Sequence, residues 1–179
     1  IPANKSGSGD DGRTLYRLRF ELWDGVLFHR SVCFDAPNFA TPRARELTAA
    51  DVAFTFQRLA DPAVNCPYYD SYAHIQGFEE WTERLKAFRQ SHPAAAGWPI
   101  HEVYEQVGDI PGVRVKGRYR FDLVLADKFR VLFYWLAYST SAPVPYEAVA
   151  YYDGQDGRPD FRDWPIGTGP YRMAEHIKD

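Results

Sequence analysis

Tyrosine and tryptophan side chains in two short segments are the residues of this sequence best suited to contact a ligand. One segment is Pro67, Tyr68 and Tyr69, and the other is Tyr-Trp-Leu-Ala-Tyr at residues 134–138. An aromatic ring on irregular backbone beside a buried element offers a flat apolar face, and tyrosine adds a hydroxyl, so such rings suit the wall of a binding cavity. The alternative is that they fill the core, and the sequence leaves both open.

Signatures of bond-making chemistry are absent from the sequence. It contains no Gly-x-Ser-x-Gly, no His-Glu-x-x-His and no phosphate loop ending in Gly-Lys-Ser/Thr. The five histidines lack ligand spacing, and two cysteines alone do not make a structural zinc site. Gly-Thr-Gly at residues 167–169 departs from a dinucleotide fingerprint, because Arg172 stands where the third glycine belongs. We therefore expect neither an enzyme nor a metal or organic cofactor.

Charge and length limit the function classes further. The 179 residues include 21 basic and 24 acidic side chains, a net charge of −3, which gives no electrostatic reason to expect nucleic acid or an anionic membrane as a partner. The length suffices for one domain with a core, or for one domain and part of another. The chain begins with Ile1 and carries no signal peptide or membrane-spanning run, so we expect an excised fragment.

The two cysteines, Cys33 and Cys66, flank the helix predicted over residues 47–62. A disulfide between them would close a loop worth about 3 to 4 kcal/mol in the chain-entropy model. Two unrelated thiols are the alternative, and spacing alone does not decide between them.

The helix over residues 47–62 is the best-defined element. Thr48 and Asp51 predict a capping box, and the Asp51 carboxylate also suits the positive end of the helix dipole. Apolar side chains recur at helical spacing, at Ala49, Val52, Ala53, Phe56 and Leu59. Pro62 cannot extend the backbone ladder and ends the helix.

The remaining elements follow from the same periodicities. Alternating apolar residues predict three strands, at residues 16–22, 113–115 and 119–125, the last two forming a hairpin. Shorter helices are predicted over residues 78–88 and 146–152. Residues 97–109 are either irregular or contain a short helix around residues 101–106. Residues 130–138 are apolar on every side, so we expect a buried helix there.

Three stretches are predicted to have no regular secondary structure, and a fourth closes the chain. Residues 1–12 are typical of a flexible lead-in, residues 31–45 of a long connection, and residues 65–72 of an irregular segment. Residues 164–171 are typical of a turn that enters a strand.

Seven segments in order carry a family resemblance. They are residues 16–22 with 25–28, 47–62, 66–68 (Cys-Pro-Tyr), 121–125, 133–136, 142–145 (Ala-Pro-Val-Pro) and 167–171 (Gly-Thr-Gly-Pro-Tyr). Together they resemble the family 5 extracellular solute-binding proteins, which include the oligopeptide- and dipeptide-binding receptors of ABC importers. The resemblance covers nearly all of residues 13–175.

This resemblance implies an α/β fold of mixed α+β character, like the type II periplasmic binding proteins, in which two lobes close on a ligand and a smaller extra domain flanks one lobe. By the same comparison, residues 1–145 correspond to the extra domain, and residues 146–179 to an incomplete re-entry into the first lobe. The second lobe is absent from this chain.

The resemblance also supplies the site and the function. Tyr68 corresponds to a tyrosine that borders the peptide cavity in oligopeptide-binding relatives, and Tyr138 stands where those relatives have a cavity-facing histidine. The implied protein is an exported, periplasmic, monomeric substrate-binding component that binds oligopeptides unchanged for uptake through a membrane permease, with no nucleic-acid partner. The alternative ligand is a carbohydrate or other small polar solute stacked on tyrosines.

Overall fold

The structure contains a four-stranded antiparallel sheet. It includes the strand and the hairpin that the alternation of apolar and polar residues predicts. The computed structural model describes residues 4–8, 14–34, 44–152 and 159–175. The strands are β1 (Asn4–Ser8), β2 (Thr14–Glu21), β3 (Val113–Val115) and β4 (Arg120–Leu125), in the order β1-β2-β4-β3. The expectation of a flexible lead-in is wrong for residues 4–8, because β1 pairs with β2.

Strand β4 is buried along all of its length except its first residue. It lies between β2 and β3, and the Phe20 and Phe121 rings stack across the β2–β4 pair with centroids 4.9 Å apart. The alternating pattern places Asp122 on the polar side, yet Asp122 is buried, with Oδ2 3.8 Å from Arg17 Nε. A period-two pattern therefore locates this strand but underestimates its burial.

Helix α1 (Ala49–Ala60) forms as predicted, with the expected capping box. The Thr48 amide donates to Asp51 Oδ2 at 2.8 Å. Burial extends beyond the predicted stripe, because Thr55 is also buried and its hydroxyl donates to the Asp51 carbonyl at 2.7 Å while accepting from the Val144 amide at 2.8 Å. The helix is thus held on a second side by the segment that leads into α6.

Five further helices surround α1, namely α2 (Tyr69–Tyr72), α3 (Phe78–Ser91), α4 (Ile100–Val107), α5 (Leu132–Leu136) and α6 (Tyr146–Tyr151). Short 3-10 turns occupy Val32–Phe34, Pro62–Val64, Pro93–Gly97 and Ser139–Ser141. The helices predicted near α3, α4 and α6 are confirmed, while α2 forms one turn where irregular backbone is expected. None of the helices within the described ranges is long and apolar enough to cross a membrane.

The expectation of a buried helix over residues 130–138 is wrong. Helix α5 has five residues, and of these only Leu132 is buried. Phe133 and Tyr134 are exposed, and so is Tyr138 just beyond the helix. A run that is apolar on every side has no periodicity from which to read a buried face. Several aromatic rings of this segment therefore lie at the surface.

Residues 171–175 do not form the expected strand. They have no regular structure and their side chains are exposed. An extended segment becomes a strand by pairing with a neighbouring strand. In the part of the chain that the structure describes, no such partner lies alongside.

The apolar side chains of the described residues form two core clusters. The larger lies around α1, α3 and the sheet, and includes fully buried Trp81. The smaller, here called the Phe28 cluster, consists of Phe28, Leu47, Ala148, Tyr152 and Ile166. It joins the segment after β2 to α6 and to the turn near residue 166.

The Arg45 guanidinium strengthens the same junction. It binds the Asp51 carboxylate through both terminal nitrogens, and its Nη2 also donates to Glu147 Oε2 at 2.7 Å. The guanidinium carbon lies 5.3 Å from the centroid of the Phe28 ring. One arginine therefore links the start of α1, the Phe28 cluster and the start of α6.

No disulfide joins the two cysteines. Cys33 and Cys66 are both free thiols, and they pack against different core clusters, Cys33 against the Phe28 cluster and Cys66 against the larger one. Burial raises the pKa of the Cys33 thiol to about 11 and also raises that of Cys66. The sequence leaves open a disulfide or two unrelated thiols, and in the structure the two cysteines are unrelated thiols.

Gly112 is a position where the close approach of two segments excludes a side chain. A Cβ there would lie 2.6 Å from the Gln76 carbonyl oxygen and 2.7 Å from the Gln76 nitrogen. Hydrogen bonds fix this backbone, since the Gly112 amide donates to the Gln76 carbonyl at 2.8 Å and the Gln76 amide to the Val124 carbonyl at 2.9 Å.

The substitution Gly112→Ala is therefore expected to lower the free energy of unfolding by about 1–3 kcal/mol, the usual cost of overpacking. Urea denaturation followed by circular dichroism measures the change. Gly97→Ala is the matched control, because a Cβ at Gly97 meets nothing within 4 Å. Equal stability of the two variants would contradict the prediction.

Candidate functional site

The structure brings Tyr68 and Tyr138 into direct contact, although they lie 70 residues apart in the chain. Their ring centroids are 5.2 Å apart in an edge-to-face arrangement, and their hydroxyl oxygens are 3.4 Å apart. The hydrogen bond to Tyr138 raises the pKa of the Tyr68 hydroxyl. Tyr68 is half-buried and Tyr138 is 40% exposed, so both rings are accessible from outside.

Two more rings of the 134–138 segment complete what we call the aromatic cluster. The Trp135 ring centroid lies 4.9 Å from that of Tyr68 and 6.0 Å from that of Tyr138. Tyr134 packs edge-on against Trp135 at 5.7 Å and is 67% exposed. The aromatic cluster is therefore Tyr68, Tyr134, Trp135 and Tyr138. Sequence reasoning singled out the segment that contains Trp135 but not its contact with Tyr68.

A buried tyrosine fixes the two segments that carry the cluster. Tyr68 directly precedes α2, and Tyr72 on α2 sends its hydroxyl to the Trp135 carbonyl at 3.2 Å and to within 2.9 Å of Thr140 Oγ1. The Ser141 hydroxyl reinforces the end of α5 by donating to the Trp135 carbonyl at 3.1 Å. The rings thus project from short elements that are tied together by hydrogen bonds at their bases.

A cavity of about 360 Å³ is lined by Pro67 and Ser139, the chain neighbours of Tyr68 and Tyr138, and by Gly167. The four rings of the aromatic cluster do not themselves line it. The volume lies in the range of small-molecule sites, which are mostly apolar with a few polar groups. Such a cavity beside stacked rings suits noncovalent binding.

The Gly-Thr-Gly run at residues 167–169 is held at this cavity by His29. The His29 amide donates to the Gly167 carbonyl at 2.8 Å, and the Gly167 amide donates back to His29 Nδ1 at 3.3 Å. His29 Nε2 lies 2.7 Å from the Gly169 carbonyl oxygen. A ring that carries its proton on Nε2 satisfies both side-chain contacts. The run therefore serves as a positioned backbone turn.

Groups for metal binding are missing from the ranges that the structure describes, where no three His, Cys, Asp or Glu side chains are placed to share an ion. Of the other histidines, His74 pairs with Asp127, its Nδ1 lying 2.9 Å from Oδ2, and stacks on Phe129. His92 stacks on Phe88, and His101 packs against Tyr146. These contacts are structural.

Comparison of the sequence with models of known protein families identifies the family of this chain. The family model described as bacterial extracellular solute-binding proteins, family 5 Middle, matches residues 7–179. Comparison with curated protein sequences gave no match. The resemblance stated from the sequence is confirmed.

Solved structures agree in fold. Haemophilus influenzae OppA complexed with RPPGFSPFR has a TM-score of 0.54 at 19% identity, and the match covers 98% of this chain and 27% of that chain. The ABC transporter-associated periplasmic binding protein DppA from Helicobacter pylori, in complex with peptide STSA, has a TM-score of 0.52 at 20% identity, covering 99% and 28%. The expected type II periplasmic binding protein fold is thus confirmed, over about 28% of the length of such structures. The chain belongs to the family 5 bacterial extracellular solute-binding proteins.

Proposed function

We propose that this chain is part of the substrate-binding component of an ABC importer, and that the ligand is an oligopeptide bound without chemical change. Support comes from the family, and from the two similar structures, both of which are peptide complexes. The observation that carries the site is the contact of Tyr68 with Tyr138 beside the 360 Å³ cavity.

The aromatic cluster suits a peptide for physical reasons. Tyrosine and tryptophan faces give apolar area to a ligand side chain at a low cost in side-chain entropy. The Tyr68 and Tyr138 hydroxyls each donate or accept a hydrogen bond, as a peptide backbone requires. Tyr68 therefore provides a wall with a polar edge, and Tyr138 completes it in the place where oligopeptide-binding relatives have a histidine.

The proposed domain division assigns residues 1–145 to the extra domain and residues 146–179 to the first lobe, with the second lobe outside this chain. The Phe28 cluster and Arg45 span this boundary, which supports a firm junction between the two parts. The intact receptor is periplasmic and monomeric, and it delivers its ligand to a membrane permease. Closure of the second lobe then traps the ligand against the aromatic cluster.

A carbohydrate or other small polar solute is the second candidate ligand. The exposed face of Tyr134, together with Trp135, favours it, because flat rings stack on sugar rings as well as on peptide side chains. This candidate uses the same cluster and differs only in the ligand.

Calorimetry of the intact receptor against a peptide pool and a sugar pool separates the two candidates. We expect peptide binding, and we expect Tyr68→Ala to weaken it about 10- to 100-fold, since a buried aromatic contact is worth about 1–3 kcal/mol. Tyr68→Phe keeps the ring and is expected to retain most of the affinity. Tyr119→Ala is the matched control, because Tyr119 lies directly before β4, accepts a hydrogen bond from Arg118 and is not part of the aromatic cluster.

If the receptor binds sugars and no peptide, the proposed ligand is a carbohydrate and not an oligopeptide. Peptide affinity that is unchanged in Tyr68→Ala would remove the aromatic cluster from the site.

A further inference from the structure

A second cavity, of about 530 Å³, shares Arg58 and Phe161 with the first one, and we call it the Arg58 cavity. Arg58, in the last turn of α1, lines both cavities. Trp98 and Phe161 form parts of the apolar wall, and the Arg58 guanidinium carbon lies 5.4 Å from the centroid of the Phe161 ring. The guanidinium is thus held in place by stacking rather than by a carboxylate.

The one buried carboxylate of this cavity is fully used by other donors. Asp61 Oδ1 accepts from Arg89 Nη1 at 2.6 Å and from the Ala63 amide at 2.8 Å. Asp61 Oδ2 accepts from Arg89 Nη2 at 2.7 Å and from the Tyr104 hydroxyl at 2.7 Å. Each oxygen therefore has two donors, and Asp61 has no free position for Arg58.

The second carboxylate that lines the cavity, that of Asp160, faces Arg162. Asp160 Oδ1 lies 3.6 Å from Arg162 Nε and accepts from the Arg162 amide at 2.8 Å. Three arginines and two aspartates line the cavity. With Arg89 and Arg162 assigned to Asp61 and Asp160, the surplus positive charge is Arg58. Among the described residues, no carboxylate lies within salt-bridge distance of it.

Arg58 is partly buried, and the Asp61 and Asp160 carboxylates attract its charge only from beyond salt-bridge distance. Proteins normally give a charge that is partly removed from water a direct partner. Stacking on Phe161 offsets part of the cost of burial but supplies no anion. The same burial lowers the pKa of Arg58. A guanidinium matches the paired oxygens of a carboxylate or phosphate, and it binds them through two parallel hydrogen bonds.

We infer that the Arg58 cavity binds an oxyanion, the carboxylate or phosphate group of a small molecule, with Arg58 as its principal ligand. The volume fits a small metabolite, and Trp98 provides an apolar wall for the remainder of it. None of the four aromatic-cluster residues lines this cavity, so the inference does not depend on the proposed peptide-binding function.

Thermal unfolding of the full-length protein in acetate, inorganic phosphate or chloride at equal ionic strength tests the inference. A ligand that binds the folded state raises the unfolding temperature with its concentration. We expect acetate or phosphate, but not chloride, to raise it. A rise in acetate alone identifies a carboxylate site, a rise in phosphate alone identifies a phosphate site, and a rise in both identifies a general oxyanion site.

Arg58→Gln is expected to abolish the anion-specific rise, whereas Arg120→Gln, at an arginine that is 72% exposed and does not line this cavity, is expected to keep it. If Arg58→Gln does not fold, Arg58→Lys takes its place, with a reduced rise expected because lysine lacks the planar fork. No anion-specific rise in the wild-type protein, or an undiminished rise in the folded Arg58 variant, would overturn the inference.

Discussion

The substitution Asp61→Asn is expected to lower the free energy of unfolding by about 3 kcal/mol. Asp61 is buried and binds both terminal nitrogens of Arg89 and the hydroxyl of buried Tyr104. Asparagine leaves the arginine charge uncompensated, and breaking a buried pair in this way costs about 3–5 kcal/mol. The lower end applies because the Arg89 side chain is 33% exposed, so water screens part of its charge.

Urea denaturation of the wild-type and variant chains measures this loss. Asp127→Asn is the matched control, since Asp127 pairs with His74 but its side chain is 59% exposed. Exposed pairs contribute about 0–1 kcal/mol, so the control is expected to stay near the wild type. Similar losses in the two variants would show that the Asp61 network adds no more than a surface pair.

Truncating the largest buried side chain should have an effect of similar size. Trp81→Ala is expected to lower the free energy of unfolding by about 3–5 kcal/mol, through lost burial and the cavity left behind. Trp81 is fully buried, packs edge-on against Tyr104 at 5.2 Å and donates its indole N–H to the Gly108 carbonyl at 2.6 Å. The substitution also removes the shorter of the two side-chain hydrogen bonds to that carbonyl, which keeps Gln57 Nε2 as a donor at 3.3 Å.

Trp23→Ala removes the same side chain from a position that is 84% exposed. Its stability is expected to change by no more than about 0.5 kcal/mol, as at most surface positions. Circular dichroism is the appropriate probe, because both substitutions alter tryptophan fluorescence. A loss below that of the control for Trp81→Ala would contradict the role of Trp81 in the larger core.

Local signals in the sequence are sufficient to predict α1 and the hairpin. Thr48 and Asp51 predict the cap, Pro62 predicts the end, and each acts through residues within a few positions in the chain. The hairpin of β3 and β4 likewise depends on alternation and a nearby turn. The exposure of α5 depends instead on which elements pack against it, and a uniformly apolar run contains no information about that.

The candidate sites depend more on tertiary contacts. The family resemblance predicts Tyr68 and Tyr138 separately, and their contact requires the bond from Tyr72 to the Trp135 carbonyl, 63 residues away. Arg58 carries no distinguishing signal, because a basic residue in the last turn of a helix is ordinary. That no carboxylate in the described ranges pairs directly with it appears only once the donors to Asp61 are known. The separation of Cys33 from Cys66 is equally invisible in their spacing.

A crystal structure of the intact receptor with its co-purified ligand is the most direct test of the aromatic cluster as the ligand site. Electron density for a peptide is expected in the cavity beside the cluster, with a side chain packed on the Tyr68 ring and a polar atom within hydrogen-bond distance of the Tyr68 or Tyr138 hydroxyl. A ligand bound elsewhere in the receptor, with no atom in contact with either tyrosine, would contradict the proposed site.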